Sequence, residues 1–111
     1  MGKNKSGELL QGTLPLIVLR ILASGPNHGF AIARRIQLIS KEVLHAEEGS
    51  LYPALHKMEL EGWIDSEWGA TENNRKAKYY RLTPSGRKQL RAETERWHSI
   101  AGAISAILMQ A

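Results

Sequence analysis

Residues 48–82 constrain the fold most, because a helical pattern, a glycine and then two strand patterns follow one another there. Leu51, Leu55 and Met58 recur at the spacing of one buried helical face. Gly62 comes next, and glycine is the residue that most easily adopts the left-handed conformation at a helix end. We therefore predict a short helix that ends at Gly62 and leads into a β-hairpin.

The outer side of this predicted helix is polar and basic. It carries Tyr52, Pro53, His56 and Lys57, and we expect Ser50 to cap the first turn. Pro53 fits a first turn because its missing N–H has no helical partner there. Hydrogen-bonding side chains and a cation on one helical face, followed by a basic hairpin, are typical of proteins that read duplex DNA. We predict that the four outer-face residues contact DNA.

The two strand patterns enclose a polar loop. Residues 63–68 and 78–82 are rich in aromatic and other strand-compatible residues, whereas residues 69–77 are small and turn-prone. An ordinary mobile loop is the alternative to a DNA-contacting tip. We predict contacts with a minor groove or its flanking phosphates from Asn73, Asn74, Arg75 and Lys76.

The charge distribution favours a polyanionic partner. The 111 residues, enough for one domain, include 15 Lys and Arg against 11 Asp and Glu, which gives a net charge of +4. Residues 75–91 contain seven of these cations and no acidic residue. A solvated charged face is the alternative explanation for such a run. Its position directly after the predicted DNA-reading helix favours DNA.

Catalysis, cofactors and metals have no support in the sequence. There is no cysteine, which excludes disulfides and thiolate chemistry. The four histidines are scattered, no glycine-rich phosphate loop follows a strand, and His45 with Glu47 and Glu48 matches no established metal-binding spacing. The N-terminus has no apolar signal segment, and the apolar run at 100–109 is too short to span a bilayer. We expect a cytoplasmic protein without enzymatic activity, cofactor or metal.

The rest of the chain completes a winged helix. After a flexible arm over residues 1–8, Thr13 is expected to cap a first, apolar helix, and a second helix is expected over 28–40 with His28 at its start. Val43 and Leu44 could form a short strand in the link to the DNA-reading helix. The predicted fold is mainly α with a small β-hairpin: a winged helix-turn-helix over residues 9–83.

Residues 84–111 are predicted to form a dimerisation helix, capped by Thr83 with Pro84 at its first position. Its apolar residues fall at spacings of three and four, as in a coiled coil. Packing against the first helix is the alternative to a second copy. Trp97 could also line a groove for a flat apolar effector, although packing in the dimer core is the simpler interpretation. We predict that the dimer contacts come from Leu9, Leu10, Trp97, Ile100, Ile104, Ile107 and Leu108.

Four segments in this order resemble the PadR family of transcriptional regulators. They are GTLPLIVLRIL at 12–22, HGFAIARRI at 28–36, EEGSLYPALHKMELEGWI at 47–64 and NNRKAKYYRLTPSGRKQL at 73–90. The resemblance implies a winged-helix DNA-binding domain, a C-terminal helix that builds a homodimer, and action as a repressor. It adds Ser50 to the predicted DNA contacts of the helix, and Lys78, Tyr79 and Tyr80 to the wing residues. Pro15 departs from the family, whose members often have an acidic residue there, and the chain is similar to the short branch that lacks a larger C-terminal domain.

A protein-interaction module is the main alternative, because winged helices also bind proteins. Such a module would have weak DNA affinity without sequence preference.

Overall fold

The computed structural model describes the backbone of residues 2–110 and the side chains of residues 12–110. The chain folds into four helices and three strands, and the strands form one antiparallel sheet in the order β1-β3-β2. The elements are α1 (Gly2–Leu22), β1 (Asn27–His28), α2 (Gly29–Ile39), α3 (Glu48–Leu60), β2 (Ile64–Ala70), β3 (Lys76–Leu82) and α4 (Pro84–Leu108). This is the predicted winged helix with a long C-terminal helix.

Helix α1 lies at the centre of the core. Its residues Leu14, Val18 and Leu22 are buried, and the helix contacts α2, α3, β3 and α4. The predicted cap at Thr13 is wrong, because the backbone before it is already helical and Pro15 lies inside the helix. Proline in an interior turn removes one backbone hydrogen bond, and the flanking turns keep theirs.

The side chains of Leu9 and Leu10 lie outside the described residues, so their role in dimerisation stays a prediction, as does the flexibility of the arm.

Helix α2 begins as predicted next to His28, whose ring nitrogen Nδ1 accepts a hydrogen bond from the Ala31 N–H at 3.3 Å. The predicted strand at residues 43–44 is wrong. The chain makes a tight turn instead, in which Lys41 and Glu42 both have positive φ angles of 53° and 70°. The Ser40 hydroxyl supports this turn by accepting a hydrogen bond from the Leu44 N–H at 2.9 Å.

Helix α3 begins earlier than predicted, so Ser50 is not its cap. The carbonyl of Glu47 accepts hydrogen bonds from the N–H groups of Ser50 and Leu51, and the helix therefore starts at Glu48. Pro53 consequently lies in the second turn, where its missing N–H deprives the carbonyl of the exposed Gly49 of a helical partner. Water can satisfy that carbonyl, which limits the cost.

The C-terminal end of α3 is as predicted. Gly62 has a φ of 81°, and the N–H of Trp63 donates to the Met58 carbonyl at 3.1 Å while that of Gly62 donates to the Glu59 carbonyl at 3.0 Å. This pair of bonds is the Schellman motif. Leu51, Leu55 and Met58 are buried, as their spacing predicted.

The hairpin is longer than the sequence predicted. Its strands pair from Ile64 with Leu82 to Ala70 with Lys76, so the loop is confined to residues 71–75. The N–H of Thr71 donates to the Arg75 carbonyl at 2.8 Å and closes the loop. Gly69, Ala70 and Ala77, which resemble a loop in sequence, lie in the strands because backbone pairing across the hairpin extends to them.

Two further contacts lie at the ends of the wing, where it meets the rest of the domain. The two-residue strand β1, which the sequence reading missed, pairs with Tyr79 and Tyr80 of β3. At the other end, the Thr83 hydroxyl accepts a hydrogen bond from the Gly86 N–H at 3.0 Å and donates one to the Gly62 carbonyl at 2.7 Å. Thr83 therefore caps α4 as predicted and also ties it to the end of α3.

The described part of the chain contains no helix long and apolar enough to cross a membrane.

Candidate nucleic-acid interface

The outer face of α3 is the first component of the candidate site. Tyr52, Pro53, His56 and Lys57 are exposed, while the opposite face anchors the helix in the core. Ser50 is half-buried in the first turn of the helix. Four of the five predicted α3 residues therefore share an accessible surface.

Close packing between α2 and α3 sets the position of Tyr52. A Cβ atom at Gly29 would lie 2.6 Å from both the Tyr52 hydroxyl and the ring carbon Cε1. Such a contact is closer than carbon atoms tolerate, so the ring can lie across the start of α2 only because residue 29 has no side chain. The burial of Gly29 reflects this contact.

The tip of the wing is the second component. Asn73, Asn74, Arg75 and Lys76 are all exposed. Asn74 adopts the left-handed conformation with a φ of 62°, which asparagine tolerates better than most residues. The loop is held by two hydrogen bonds to Thr71, one from the Asn74 N–H to its carbonyl and one from the Arg75 N–H to its hydroxyl. The cations at the tip are therefore presented from an ordered turn.

Lys78 differs from the other predicted wing residues because it is paired within the domain. Its ammonium lies 3.6 Å from a carboxylate oxygen of Glu59, and 5.9 Å from the centre of the Tyr80 ring. The other carboxylate oxygen of Glu59 accepts a hydrogen bond from the Ser66 hydroxyl at 2.5 Å. Glu59 thus connects the last turn of α3 to both strands of the wing.

Sequence patterns do not single out Glu59, because its partners Ser66 and Lys78 lie on two different strands and only the fold brings the three side chains together. Its charge also acts on Tyr80. The pKa of the Tyr80 hydroxyl is raised above its usual value by burial first, then by the negative charge of Glu59, and last by the nearby phenol of Tyr52.

A second ion-pair network occupies the opposite face of the wing. Arg81 lies 2.7 Å from Asp65 and 3.7 Å from Glu67. The hydrogen bond to Asp65 and the charges of both carboxylates raise the pKa of the Arg81 guanidinium. Alternation of side chains along a strand places this network on the face away from Lys76 and Lys78. The cation run seen in the sequence is therefore not one uniform basic surface.

A groove joins the two components of the site. It has a volume of about 1110 Å³ and is lined on one side by the start of α2 and Tyr52, and on the other by the wing with Arg75 and Lys76. Tyr52 is the α3 residue that lines this groove, and it is brought together there with Asn73, Arg75, Lys76 and Lys78 of the wing. The other predicted residues, Ser50, Pro53, His56, Lys57 and Asn74, are not among its lining residues.

The apolar stripe of α4 forms a separate surface. The exposed fractions of its side chains rise from 46% at Trp97 to 77% at Leu108, so α1 does not bury the stripe within one chain. Its first half borders a groove of about 450 Å³ between α4 and the Gly12–Leu16 segment of α1. The predicted dimer residues of α4 are Trp97, Ile100, Ile104, Ile107 and Leu108, and all are accessible in the single chain.

No cluster of three metal-ligating side chains occurs in the described part of the chain. His45, which the sequence placed near two glutamates, instead has its ring nitrogen Nε2 2.9 Å from the Glu42 carbonyl.

The fold and this surface together define a winged-helix transcriptional regulator, and comparisons identify the family. The transcriptional regulator PadR-like family matches residues 18–92. A transcriptional regulator of Mycobacterium tuberculosis is 32% identical over 83 residues, which cover 75% of this chain and 74% of that protein. The chain belongs to the PadR-like family, as its sequence motifs indicated, and it is a transcriptional regulator and not an enzyme.

Solved structures agree with this assignment. A transcriptional regulator from Clostridium thermocellum has a TM-score of 0.81 at 29% identity, with 89% of this chain and 96% of that chain covered. A PadR-like transcriptional regulator from Bacillus cereus has a TM-score of 0.81 at 25% identity, with 94% and 99% covered. These similarities confirm the predicted winged-helix fold over nearly the whole chain.

Proposed function

We propose that this regulator is a homodimer that represses transcription by binding a palindromic operator in duplex DNA. The observation that carries the proposal is the groove that Tyr52 of α3 shares with Arg75 and Lys76 of the wing. A reading helix and a basic wing on one concave surface suit binding to adjacent grooves of a duplex. In this arrangement α3 enters the major groove, and the half-sites lie about 34–36 Å apart, one helical turn.

The proposed DNA contacts come from two elements, helix α3 and the wing. Tyr52 and His56 carry exposed hydrogen-bonding groups on α3 and are the candidates for base-edge or phosphate contacts. Ser50, Pro53 and Lys57 complete the α3 contact surface. In the wing, Asn73, Asn74, Arg75 and Lys76 contact a minor groove or the phosphates beside it, and Lys78 can join them only by releasing Glu59.

A dimer is supported by the exposed stripe of α4. Burial of a large apolar side chain stabilises by about 1.5–3 kcal/mol. A second copy that covers this stripe would therefore add burial free energy that the single chain, whose stripe stays exposed, does not have. Leu9 and Leu10 extend the same contact in this proposal. Replacing Ile100 and Ile104 with serine should give a monomer by analytical ultracentrifugation while the fold is retained. A dimer unchanged by both substitutions would contradict the proposed interface.

An apolar effector could act at the groove beside Trp97. Its volume of about 450 Å³ falls within the usual range for small-molecule sites, about 300–1,000 Å³. A flat ligand stacked on the indole would change the spacing of the two α3 helices and release the operator. An effector screen should therefore be run on the wild type and on a Trp97→Ala variant. A compound that releases DNA equally from both proteins would not act at this groove.

The wing role is tested by a double substitution with a matched control. Replacing Arg75 and Lys76 with alanine should weaken binding to all DNA sequences alike, and the log–log salt dependence should fall by about 0.9 for each phosphate that is no longer neutralised. Arg81→Ala also removes a wing cation, but one that Asp65 and Glu67 already neutralise, so it should change the salt dependence little. A changed operator preference with intact nonspecific affinity in the double variant would contradict the wing role.

A further inference from the structure

The groove between the wing and the start of α2 contains features that the proposed DNA contacts do not use. Two large aromatic side chains line it and remain exposed, Phe30 of α2 at 67% and Trp68 of β2 at 65%. We propose that this groove seats one sugar–phosphate strand of duplex DNA, with Trp68 and Phe30 packed against the deoxyriboses. The inference rests on the proposed function and extends the interface from α3 and the wing tip onto α2 and β2.

The proposed docking geometry places one DNA strand between α3 and the wing. If α3 occupies a major groove and the wing reaches the adjacent minor groove, the phosphodiester strand between those grooves must pass between α3 and the wing. Tyr52 of α3 lines one side of the groove and Arg75 lines the other. The groove therefore lies where the strand must run.

The charges of the groove fit a polyanion. Three cations, Arg75, Lys76 and Lys78, line it together with one carboxylate, Glu72. Within the described residues, neither Arg75 nor Lys76 forms an ion pair, whereas Lys78 is held by Glu59. Two cations are thus free to neutralise phosphates without first breaking a contact in the protein.

The aromatic side chains distinguish a nucleic-acid strand from free phosphate ions. Trp68 lies directly across the hairpin from Lys78, so the indole and the ammonium share the face of the wing that borders the groove. Exposed rings next to cations match a polymer that alternates apolar sugars with charged phosphates. An inorganic anion would leave both rings in water.

The inference can be tested on the full chain labelled with 5-fluorotryptophan. The protein has three tryptophans, and single substitutions by phenylalanine assign their ¹⁹F signals. On titration with mixed-sequence duplex DNA, the Trp68 signal should shift, whereas the Trp97 signal on α4 should stay unchanged at the same protein concentration. Trp68→Ala should lower the affinity for this DNA about tenfold, and Trp68→Phe, which keeps a ring, should lower it less.

The possible outcomes separate this inference from the function on which it rests. DNA binding with an unmoved Trp68 signal and unchanged affinity of Trp68→Ala would overturn the groove assignment and leave the regulator proposal intact. An absence of DNA binding by the wild type would overturn both. Equal ¹⁹F shifts with inorganic phosphate and with DNA would show that an anion alone fills the groove, which also contradicts the inference.

Discussion

Replacement of Glu59 should lower the stability of the domain while strengthening its electrostatic attraction to DNA. Glu59 accepts a hydrogen bond from Ser66 at 2.5 Å and pairs with Lys78 at 3.6 Å. A hydrogen bond to a charged group contributes about 1.5–3 kcal/mol. The ion pair adds little, because the two side chains are 29% and 38% exposed and water screens their attraction. We expect a loss of about 2 kcal/mol for Glu59→Ala.

Glu59→Gln distinguishes the hydrogen bond with Ser66 from the ion pair with Lys78, because it can keep the first and removes the second. The amide oxygen can still accept the hydrogen bond from Ser66, so we expect a loss of about 1 kcal/mol, half of that for alanine. At fixed protein concentration this corresponds to a fall in Tm of about 4 °C. The charge is gone, however, and Lys78 becomes available to a phosphate. DNA binding should then show a log–log salt dependence steeper by about 0.9.

The assay is thermal unfolding together with fluorescence anisotropy on mixed-sequence duplex DNA at several salt concentrations. The double variant Glu59→Gln with Lys78→Gln is the control, since it should lose the added salt dependence and keep the reduced stability. An unchanged salt dependence in Glu59→Gln would refute the idea that Lys78 reaches DNA. Unaltered stability in Glu59→Ala would show that the network does not hold the wing.

Three further predictions concern the fold that positions the site. Leu55→Ala should lower the free energy of unfolding by about 2–5 kcal/mol in chemical denaturation, because the side chain is fully buried beneath the α3 face. Thr83→Ala should cost about 1–2 kcal/mol through loss of the cap on Gly86, whereas Thr83→Ser, which keeps the hydroxyl, should cost less than half of that. Stability should fall as the pH rises above about 10, because the pKa of Tyr80 is higher in the folded state than in the unfolded state. Thermal unfolding at a series of pH values should show a smaller loss for Tyr80→Phe.

The elements that were predicted correctly are those whose signals are local. The buried face of α3 follows from three apolar residues at helical spacing, and its end follows from Gly62. The cap of α4 follows from Thr83 and Pro84. Each of these signals depends only on residues within about one or two helical turns, so a single sequence is enough to find them.

The errors arose where the backbone continued past a local signal. Thr13 and Ser50 resemble caps before prolines, yet hydrogen bonds to earlier residues extend both helices in front of them. Strand β1 has two residues, too few for any periodicity, and it exists because β3 offers it an edge.

The candidate site was predictable as a set of residues and not as a surface. The sequence indicates which side chains of α3 and the wing are polar and basic. It does not show that Lys78 is held by Glu59, that Arg81 is neutralised on the far face, or that Trp68 borders the groove. These features depend on contacts between residues far apart in the chain, which only the fold determines.

Selection from a random-sequence DNA pool, repeated at low and moderate salt, would show whether the protein recognises a specific operator. We predict an enriched palindromic site, bound by two copies of the chain, whose half-sites are about one helical turn apart. Uniform weak binding that vanishes as salt increases would contradict sequence-specific regulation through α3, and would favour a winged helix that acts through protein partners.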